Sequence, residues 1–205
     1  MVWIVLTSII NWFVITTIID TYLMTFPRLD WKMSKCIPEV YQIEQNNRID
    51  IQKNYECAAF SSAYVLRYFG IKVDGQELYN DFPNKMRNGY VYPKGIINKI
   101  RNYNLEICYR KGNIRTLKKQ ISKGVPVIVF VKVFRNKNYT HYVPITGYDK
   151  EYFYLAESLE YLINCESDSG IYNRKVANKE FKKLWNTKAI KMPLYSYTYF
   201  TINKK

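Results

Sequence analysis

The sequence predicts an α+β domain preceded by an apolar N-terminal segment. Three observations carry this prediction: an uncharged run at the start of the chain, a helix that begins at Cys57, and β-branched and aromatic runs around His141. With 205 residues, 48% of them hydrophobic, the chain can bury one core and carry an appendage. We expect residues 1–26 to form a transmembrane anchor, 27–48 a linker and 49–205 the folded domain.

The N-terminal segment has no charged side chain from Met1 to Ile19, and 14 of these 19 residues are apolar. A helix of this length approaches the roughly 30 Å thickness of the hydrocarbon layer. A cleaved signal peptide is the competing interpretation, but no Lys or Arg precedes the run and no small-residue cleavage site follows it. A third interpretation is that the segment forms a buried helix of the core. Basic residues flank only the C-terminal side, which predicts a single-pass membrane protein with its domain in the cytoplasm.

A helix from about Cys57 to Phe69 is predicted by small residues in its first turns and by Gly70 as a terminator. The Cys57 sulfur then lies at the positive end of the helix dipole, which favours the nucleophilic thiolate. The alternative is structural, because a free cysteine is among the most buried residue types.

His141 is the only histidine in the chain. The apolar runs on either side of a short polar turn at residues 149–151 predict a β-hairpin, whose second strand returns Glu157 or Ser158 beside His141. A carboxylate there would orient the imidazole and leave its other nitrogen for the thiol proton, so chemistry favours Glu157. The alternative for His141 is a partly buried strand residue that only backbone groups satisfy.

In this order along the chain, the motifs resemble the papain-like cysteine peptidases of the C39 type. The resemblance covers residues 49–185 and consists of a nucleophile helix, a helix and buried strand before the histidine, a histidine strand and a late helix ending in tryptophan: 56–70, 117–131, 141–149 and 181–185. It implies a papain-like fold in which a helix carrying Cys57 packs on an antiparallel sheet carrying His141. It also implies Cys57 as nucleophile, His141 as base and Glu157 as the orienting residue.

The chain departs from the family pattern at three places. The family's glutamine, which donates to the oxyanion, falls on Gln52 one residue nearer to the cysteine than usual, and Ile51 occupies the expected place. Glu157 stands where Asp or Asn is usual, and Ala58 where glycine is common. The implied activity is peptide hydrolysis through a thioester; an amidase or acyltransferase using the same site, and an inactive peptide-binding or scaffold domain, are the alternatives.

The four cysteines show no Cys-x-x-Cys or Cys/His spacing, so the sequence predicts no metal and no cofactor. If Cys57 is free, three cysteines remain and cannot all pair in disulfides, which fits a reducing compartment. Charge is uneven, because residues 85–137 carry fourteen Lys and Arg against one acid, whereas 149–168 carry six acids and one base. Besides a peptide substrate, the expected partners are membrane lipids, with an anionic surface facing the basic lobe of residues 85–137. Nucleic acid is the disfavoured rival. Residues 81–93 are predicted to form a surface loop bordering the cleft.

Overall fold

The computed structural model of the chain describes residues 2–23, 26–30, 36–137, 139–167, 169–188 and 193–205. The helices in these ranges are α1 (Val2–Leu23), α2 (Cys57–Tyr68), α3 (Gly75–Asn80), α4 (Pro93–Arg101), α5 (Ile114–Ile121) and α6 (Asn178–Trp185). The strands are β1 (Arg28–Leu29), β2 (Tyr41–Gln42), β3 (Leu105–Lys111), β4 (Val127–Lys132), β5 (Thr140–Tyr148), β6 (Tyr152–Leu155), β7 (Arg174–Ala177) and β8 (Thr198–Lys204).

The strands described form one sheet in the order β1-β3-β8-β4-β5-β6-β7, with β2 paired to β5. All the pairs are antiparallel except β1 with β3. Strand β5, which carries His141, pairs with β4 along six residues and with β6 through the predicted hairpin. The histidine therefore stands on a strand held from both sides, and the α+β prediction is confirmed.

Helices cover both faces of this sheet, and alternation along β4 shows why. Its residues Ile128 and Phe130 pack into the core beneath α2 and α4. The intervening residues pack into a second core beneath α5 and α6: Val127, Val129 and Val131. Successive side chains of a strand point to opposite faces, so a strand buried on both sides has a continuous apolar sequence. This is why residues 127–131 contain no polar side chain.

The helix predicted to begin at Cys57 is confirmed as α2. It ends at Tyr68, and Gly70 follows with φ +83°, a left-handed conformation that glycine adopts without a Cβ penalty. The late helix is also confirmed: Trp185 closes α6, is fully buried, and donates from its indole Nε1 to the Thr198 carbonyl at 2.9 Å. This hydrogen bond attaches α6 to β8, and α6 packs in the core on the sheet face opposite α2.

The N-terminal segment is helical, as α1, and its described side chains from Trp3 to Trp12 are exposed. Thr7 and Ser8 donate to carbonyls of the preceding turn. Within the parts of the chain that the structure describes, no helix combines the length and apolarity needed to cross a membrane. The expected transmembrane anchor at residues 1–26 is therefore not supported, and Met1, Met24 and Thr25 lie outside the described residues.

The segment predicted as a linker, 27–48, contributes the short strands β1 and β2 to the sheet. The buried Asp30 carboxylate accepts hydrogen bonds from Tyr199 and Gln120, and Ile43 is buried in the domain. These contacts hold the segment against the folded domain. Residues 31–35 lie outside the described residues.

Candidate active site

Cys57 is the first residue of α2, and only 4% of its surface is exposed. The helix can approach the sheet closely because three of its residues are small and fully buried: Ala58, Ala59 and Ala63. One turn beyond Cys57, the Ser61 hydroxyl donates to the Tyr142 carbonyl at 2.8 Å. Tyr142 follows His141 on β5, so this hydrogen bond docks the start of the helix beside the histidine.

The hairpin of β5 and β6 returns Glu157 to His141, as its sequence pattern predicts. His141 Nε2 donates to Glu157 Oε1 over 2.7 Å, and both side chains are buried. The thiol of Cys57 is also within hydrogen-bonding reach of the imidazole. Because Glu157 occupies Nε2, Nδ1 is the ring nitrogen left for the sulfur.

The charge states of this pair follow from their contacts. Burial on its own would lower the pKa of His141, but the Glu157 carboxylate and the hydrogen bonds to Cys57 and Glu157 outweigh burial and raise that pKa to about 9. Burial would raise the pKa of Glu157, but His141 and Arg174 lower it to about 2. At neutral pH the pair is therefore imidazolium and carboxylate, and the imidazolium can donate a proton to a group bound beside it.

Glu157 is held by more than the histidine. Arg174 Nη1 donates to Glu157 Oε2 at 2.7 Å, and the Leu159 backbone N–H donates to Oε1 at 2.9 Å. The Asn173 side chain binds the Glu157 backbone twice, accepting from its N–H at 2.7 Å and donating to its carbonyl at 2.9 Å. A glutamate is one methylene longer than the aspartate usual at this position, and these contacts fix the longer side chain.

Gln52 lies in the same cavity as Cys57 and His141 and is 8% exposed, whereas Ile51 is 43% exposed. The Ser158 hydroxyl donates to the side-chain Oε1 of Gln52 at 2.6 Å, and the backbone N–H of Gln52 donates to the Ser158 backbone carbonyl at 2.9 Å. The structure therefore brings all four predicted site residues together. Ser158, the alternative to Glu157 as partner of His141, instead contacts Gln52.

Two cavities meet at Cys57. The first, of about 330 Å³, is lined by Gln52 and His141 among others, and we call it the histidine cavity. The second, of about 280 Å³, lies against Phe130 and Tyr142 and is called the apolar cavity. Tyr90, Tyr139 and Thr140 border both. As predicted, the loop of residues 81–93 forms part of the cleft, because five of its residues line the apolar cavity: Met86, Asn88, Tyr90, Val91 and Pro93.

Sequence reasoning missed Arg174 and Asn173. A signal for Arg174 was present in β7, whose four residues alternate buried and exposed, so that Arg174 and Val176 point inward. A buried arginine almost never lacks a partner. An arginine at an inward position near a strand end therefore indicates a buried acid nearby, although the sequence does not say which one.

The described residues contain no group of three or more His, Cys, Asp or Glu side chains arranged to hold a metal ion. All four cysteines are unbridged, and Cys57 is the one buried among them. The groups that this site offers for chemistry are therefore a thiol, an imidazole, a carboxylate and amide donors.

Comparison with solved structures identifies the fold. A C39-like peptidase from Bacillus anthracis superposes with a TM-score of 0.60 at 20% identity, covering 82% of this chain and 99% of that one. A double glycine motif protease from an AMS/PCAT transporter, in complex with a leader peptide, superposes with a TM-score of 0.51 at 18% identity. The match covers 79% of this chain and 96% of that one. A Carica candamarcensis cysteine protease in complex with E-64 superposes with a TM-score of 0.55 at 13% identity. The match covers 82% of this chain and 100% of that one. These similarities show a papain-like fold.

A search among curated proteins finds no match to this sequence. The model of the peptidase C39-like family matches residues 37–189, which is most of the 205-residue chain and includes all four predicted site residues. The resemblance read from the sequence motifs is thereby confirmed, and the chain belongs to the peptidase C39-like family.

Proposed function

We propose that this protein is a cysteine peptidase that hydrolyses peptide bonds through a thioester on Cys57. The observation that carries the proposal is the continuous contact from Cys57 through His141 to Glu157, placed where two cavities meet. A thiolate beside an imidazolium, with the imidazole oriented by a carboxylate, is the arrangement that nucleophilic catalysis by cysteine requires.

The reaction follows from the positions of the groups. The Cys57 thiolate attacks the substrate carbonyl, and His141 Nδ1 gives its proton to the departing amine. His141 then accepts a proton from water, which attacks the thioester and releases the acid, restoring the imidazolium and thiolate. Glu157 remains ionised throughout and holds the imidazole in place.

Charge that develops on the carbonyl oxygen needs donors. The backbone N–H of Cys57 belongs to the first turn of α2, where N–H groups have no acceptor within the helix. Gln52 Nε2 donates one hydrogen to the Asn54 carbonyl at 2.6 Å, and an amide carries a second. We assign the oxyanion to these two groups, and each such donor is commonly worth about 3 kcal/mol of barrier.

The substrate that we propose is a short peptide, such as a leader segment. Support comes from the structurally similar protease in complex with a leader peptide. It also comes from the two cavities that meet at Cys57, because a peptide bond under attack extends in both directions from the nucleophile. An isolated small amide would occupy only one of them.

Thiol labelling tests the proposal. Iodoacetamide at limiting concentration near neutral pH should modify Cys57 before Cys36, which is exposed, and before Cys165, whose pKa is raised by burial. Exposure alone would give the opposite order. Mass spectrometry of the digested protein gives the site. Labelling led by Cys36 or Cys165 contradicts a nucleophilic Cys57, and peptide binding without such labelling favours an inactive scaffold.

Location is a separate proposal. We propose that α1 attaches the protein to a membrane and that the domain faces the cytoplasm. Support comes from the uncharged sequence of residues 1–19 and from the exposure of Trp3, Ile9 and Trp12. The full chain should then stay with membranes through salt washes, whereas a chain starting at Phe26, which keeps β1 and Asp30, should not. Attachment through the basic lobe to anionic lipid alone would be released by salt, because salt screens exposed charges.

A further inference from the structure

A third cavity, of about 430 Å³, lies at the β1 edge of the sheet, and we call it the edge cavity. Its lining comes from the segment around β1, from α4, from β3 and from the residue that follows β8. It shares no lining residue with the histidine cavity or the apolar cavity. Three of its lining side chains belong to the buried core and give it an apolar inner wall: Ile97, Leu105 and Ile107.

The edge cavity is also lined by three cations, Arg28, Arg101 and Lys205. All three side chains are exposed, and none of the ion pairs between described residues includes any of them. Glu106 is the one acid among the described residues that line the cavity. The cavity therefore carries a net positive charge and favours an anionic ligand.

The positions of these cations indicate the kind of anion. Arg28 pairs with Arg110 at one end of β3, whereas Leu105 at the other end pairs with Lys204, the neighbour of Lys205. The five residue steps between these ends span about 17 Å of strand. A single small anion is too short to contact cations at both ends, whereas a surface that presents many anionic groups contacts them together.

The rim of the edge cavity adds apolar side chains to the cations. Phe26 and Leu29, on either side of Arg28, are 64% and 62% exposed. Exposed apolar side chains beside cations are typical of a surface that rests on a membrane, where the apolar groups enter the headgroup region and the cations bind anionic lipids. Helix α1 ends at Leu23, and three residues span at most about 11 Å. A membrane that holds α1 is therefore within reach of this rim.

We propose that the edge cavity, with Phe26 and Leu29 at its rim, is a docking surface for the anionic phospholipid headgroups of a membrane. The inference rests on the proposed attachment of α1 for the source of the lipid. Of the three cations only Arg101 belongs to the basic lobe of residues 85–137, so this surface is distinct from that lobe. Strand β5, which carries His141, lies four strands from β1, about 19 Å across the sheet. Docking by the β1 edge therefore leaves the cleft open to a peptide in solution.

A cysteine in the edge cavity provides the test. Cys108 lines the cavity, is partly buried and is unbridged, so bound headgroups should cover its thiol. The full chain would be mixed with phosphatidylcholine vesicles with and without phosphatidylglycerol, and alkylation by N-ethylmaleimide followed by mass spectrometry. Phosphatidylglycerol should slow labelling of Cys108 about fivefold or more, the factor that one Lys or Arg beside an anionic surface contributes to binding. Cys165, whose N–H donates to the Asn173 carbonyl beside β7 at the opposite edge, should keep its rate.

Equal rates for Cys108 on the two kinds of vesicle overturn the proposal. Protection by inorganic phosphate without vesicles would assign the cavity to a free anion. Protection by a tetraglutamate peptide but not by lipid would assign it to an acidic protein partner. Either result also overturns the proposal.

Substitution of the cations shows whether the protection comes from this surface. The triple variant Arg28→Gln, Arg101→Gln and Lys205→Gln should regain most of the Cys108 rate measured on phosphatidylcholine. A matched triple variant removes the same charge from exposed residues of α6 and should keep the protection: Lys179→Gln, Lys182→Gln and Lys183→Gln. Equal loss of protection in the two variants would show an effect of net charge alone and would overturn the proposal.

Attachment by α1 and docking by the edge cavity have separate readouts. Recovery of the full chain with phosphatidylcholine vesicles measures attachment, and the Cys108 rate measures docking. If the chain stays with these vesicles but phosphatidylglycerol does not protect Cys108, the attachment stands and the docking proposal fails. If phosphatidylglycerol protects Cys108 but the chain does not stay with phosphatidylcholine vesicles, the docking stands and the attachment fails.

Discussion

The two halves of the site are held in different ways. The base half, His141, Glu157 and Arg174, is a buried row of charges joined by contacts of 2.7 Å. In the nucleophile half, Gln52 and Ser158 beside Cys57 are held by hydrogen bonds between uncharged hydroxyl, amide and backbone groups. Loss of one member of a buried charge pair leaves an uncompensated charge, whereas loss of a neutral hydrogen bond costs much less. We therefore expect substitutions in the base half to lower the stability of the fold strongly, and substitutions of Gln52 or Ser158 to lower it much less.

The largest effect should come from His141→Ala. His141 is the only histidine, so no other imidazole can replace it. General acid–base catalysis contributes about 10²- to 10⁴-fold, and turnover of any peptide substrate should fall by at least this factor, effectively abolishing it. Glu157→Gln should lower turnover less, because the imidazole remains. Circular dichroism checks the fold, and activity retained in His141→Ala would show that the mechanism is wrong.

Arg174→Gln tests the charged character of the base half through stability. It leaves Glu157 buried without one of its two cationic partners, and breaking a buried pair costs about 3–5 kcal/mol. Arg135→Gln is the matched control, since Arg135 pairs with Glu180 at the surface, where its side chain is 56% exposed and a pair is worth about 1 kcal/mol or less. Urea denaturation of both variants measures the difference. Similar losses in the two would contradict a special role for the buried pair.

Gln52→Ala tests the nucleophile half through the reaction rate. Removal of one oxyanion donor lowers kcat by about 10²- to 10³-fold, whereas the rate of Cys57 alkylation by iodoacetamide, which develops no oxyanion, should change little. Gln45→Ala is the control, because Gln45 is exposed and donates to the Tyr68 carbonyl away from the cleft. Parallel losses of kcat and alkylation would show that Gln52 supports the fold and does not serve the oxyanion.

The stability of the fold should depend on pH through the shifted pKa values of Glu157 and His141. The pKa of Glu157, about 2, lies below its ordinary 4.5, so its contribution is complete above about pH 4.5 and is lost as the pH falls towards 2. The pKa of His141, about 9, lies above its ordinary 6.5, so its contribution is complete below about pH 6.5 and is lost as the pH rises through 9. Unfolding free energies at about pH 3, 5.5 and 9 should peak in the middle. Glu157→Gln should flatten both sides, and an unaltered profile would contradict the ion pair.

The same contrast explains what the sequence predicted and what it did not. Cys57, Gly70 and the hairpin around His141 depend on neighbours within about one helix or one hairpin, and periodicity and turn residues report such local structure. The base half also depends on β7, which pairs with β6 and brings Arg174 to Glu157 from 17 residues away. The alternation in β7 indicates that Arg174 points inward, but a single sequence does not show that Glu157 is its partner.

The position of Gln52 illustrates a further limit. Counted along the chain, it lies one residue closer to Cys57 than the family pattern, with Ile51 at the expected place. In the folded chain, residues 52–56 form a compact turn in which Asn54 N–H donates to Glu56 Oε2 at 2.7 Å and Gln52 Nε2 donates to Asn54 O. These contacts bring Gln52 into the cleft despite the shorter spacing. Spacing along a loop does not fix position in space, because side-chain hydrogen bonds reshape the loop.

The smallest effect, and the finest test of the contrast, should come from Ser158→Ala. Ser158 takes part in no step of the proposed mechanism. Its hydroxyl donates to Gln52 Oε1 at 2.6 Å, which leaves the amide nitrogen of Gln52 to donate to the Asn54 carbonyl. A neutral hydrogen bond contributes about 1 kcal/mol, so kcat should fall about fivefold with KM nearly unchanged, and Ser158→Thr should restore most of it. Ser122→Ala, which removes a hydroxyl bonded to the Lys119 carbonyl on α5, is the control.

In a Gln52→Ala background Ser158→Ala should have no further effect on kcat, because the amide that it orients is absent. A full additional loss in that background would mean that Ser158 acts through Glu157, its neighbour in the chain, and that the two halves of the site are not held independently.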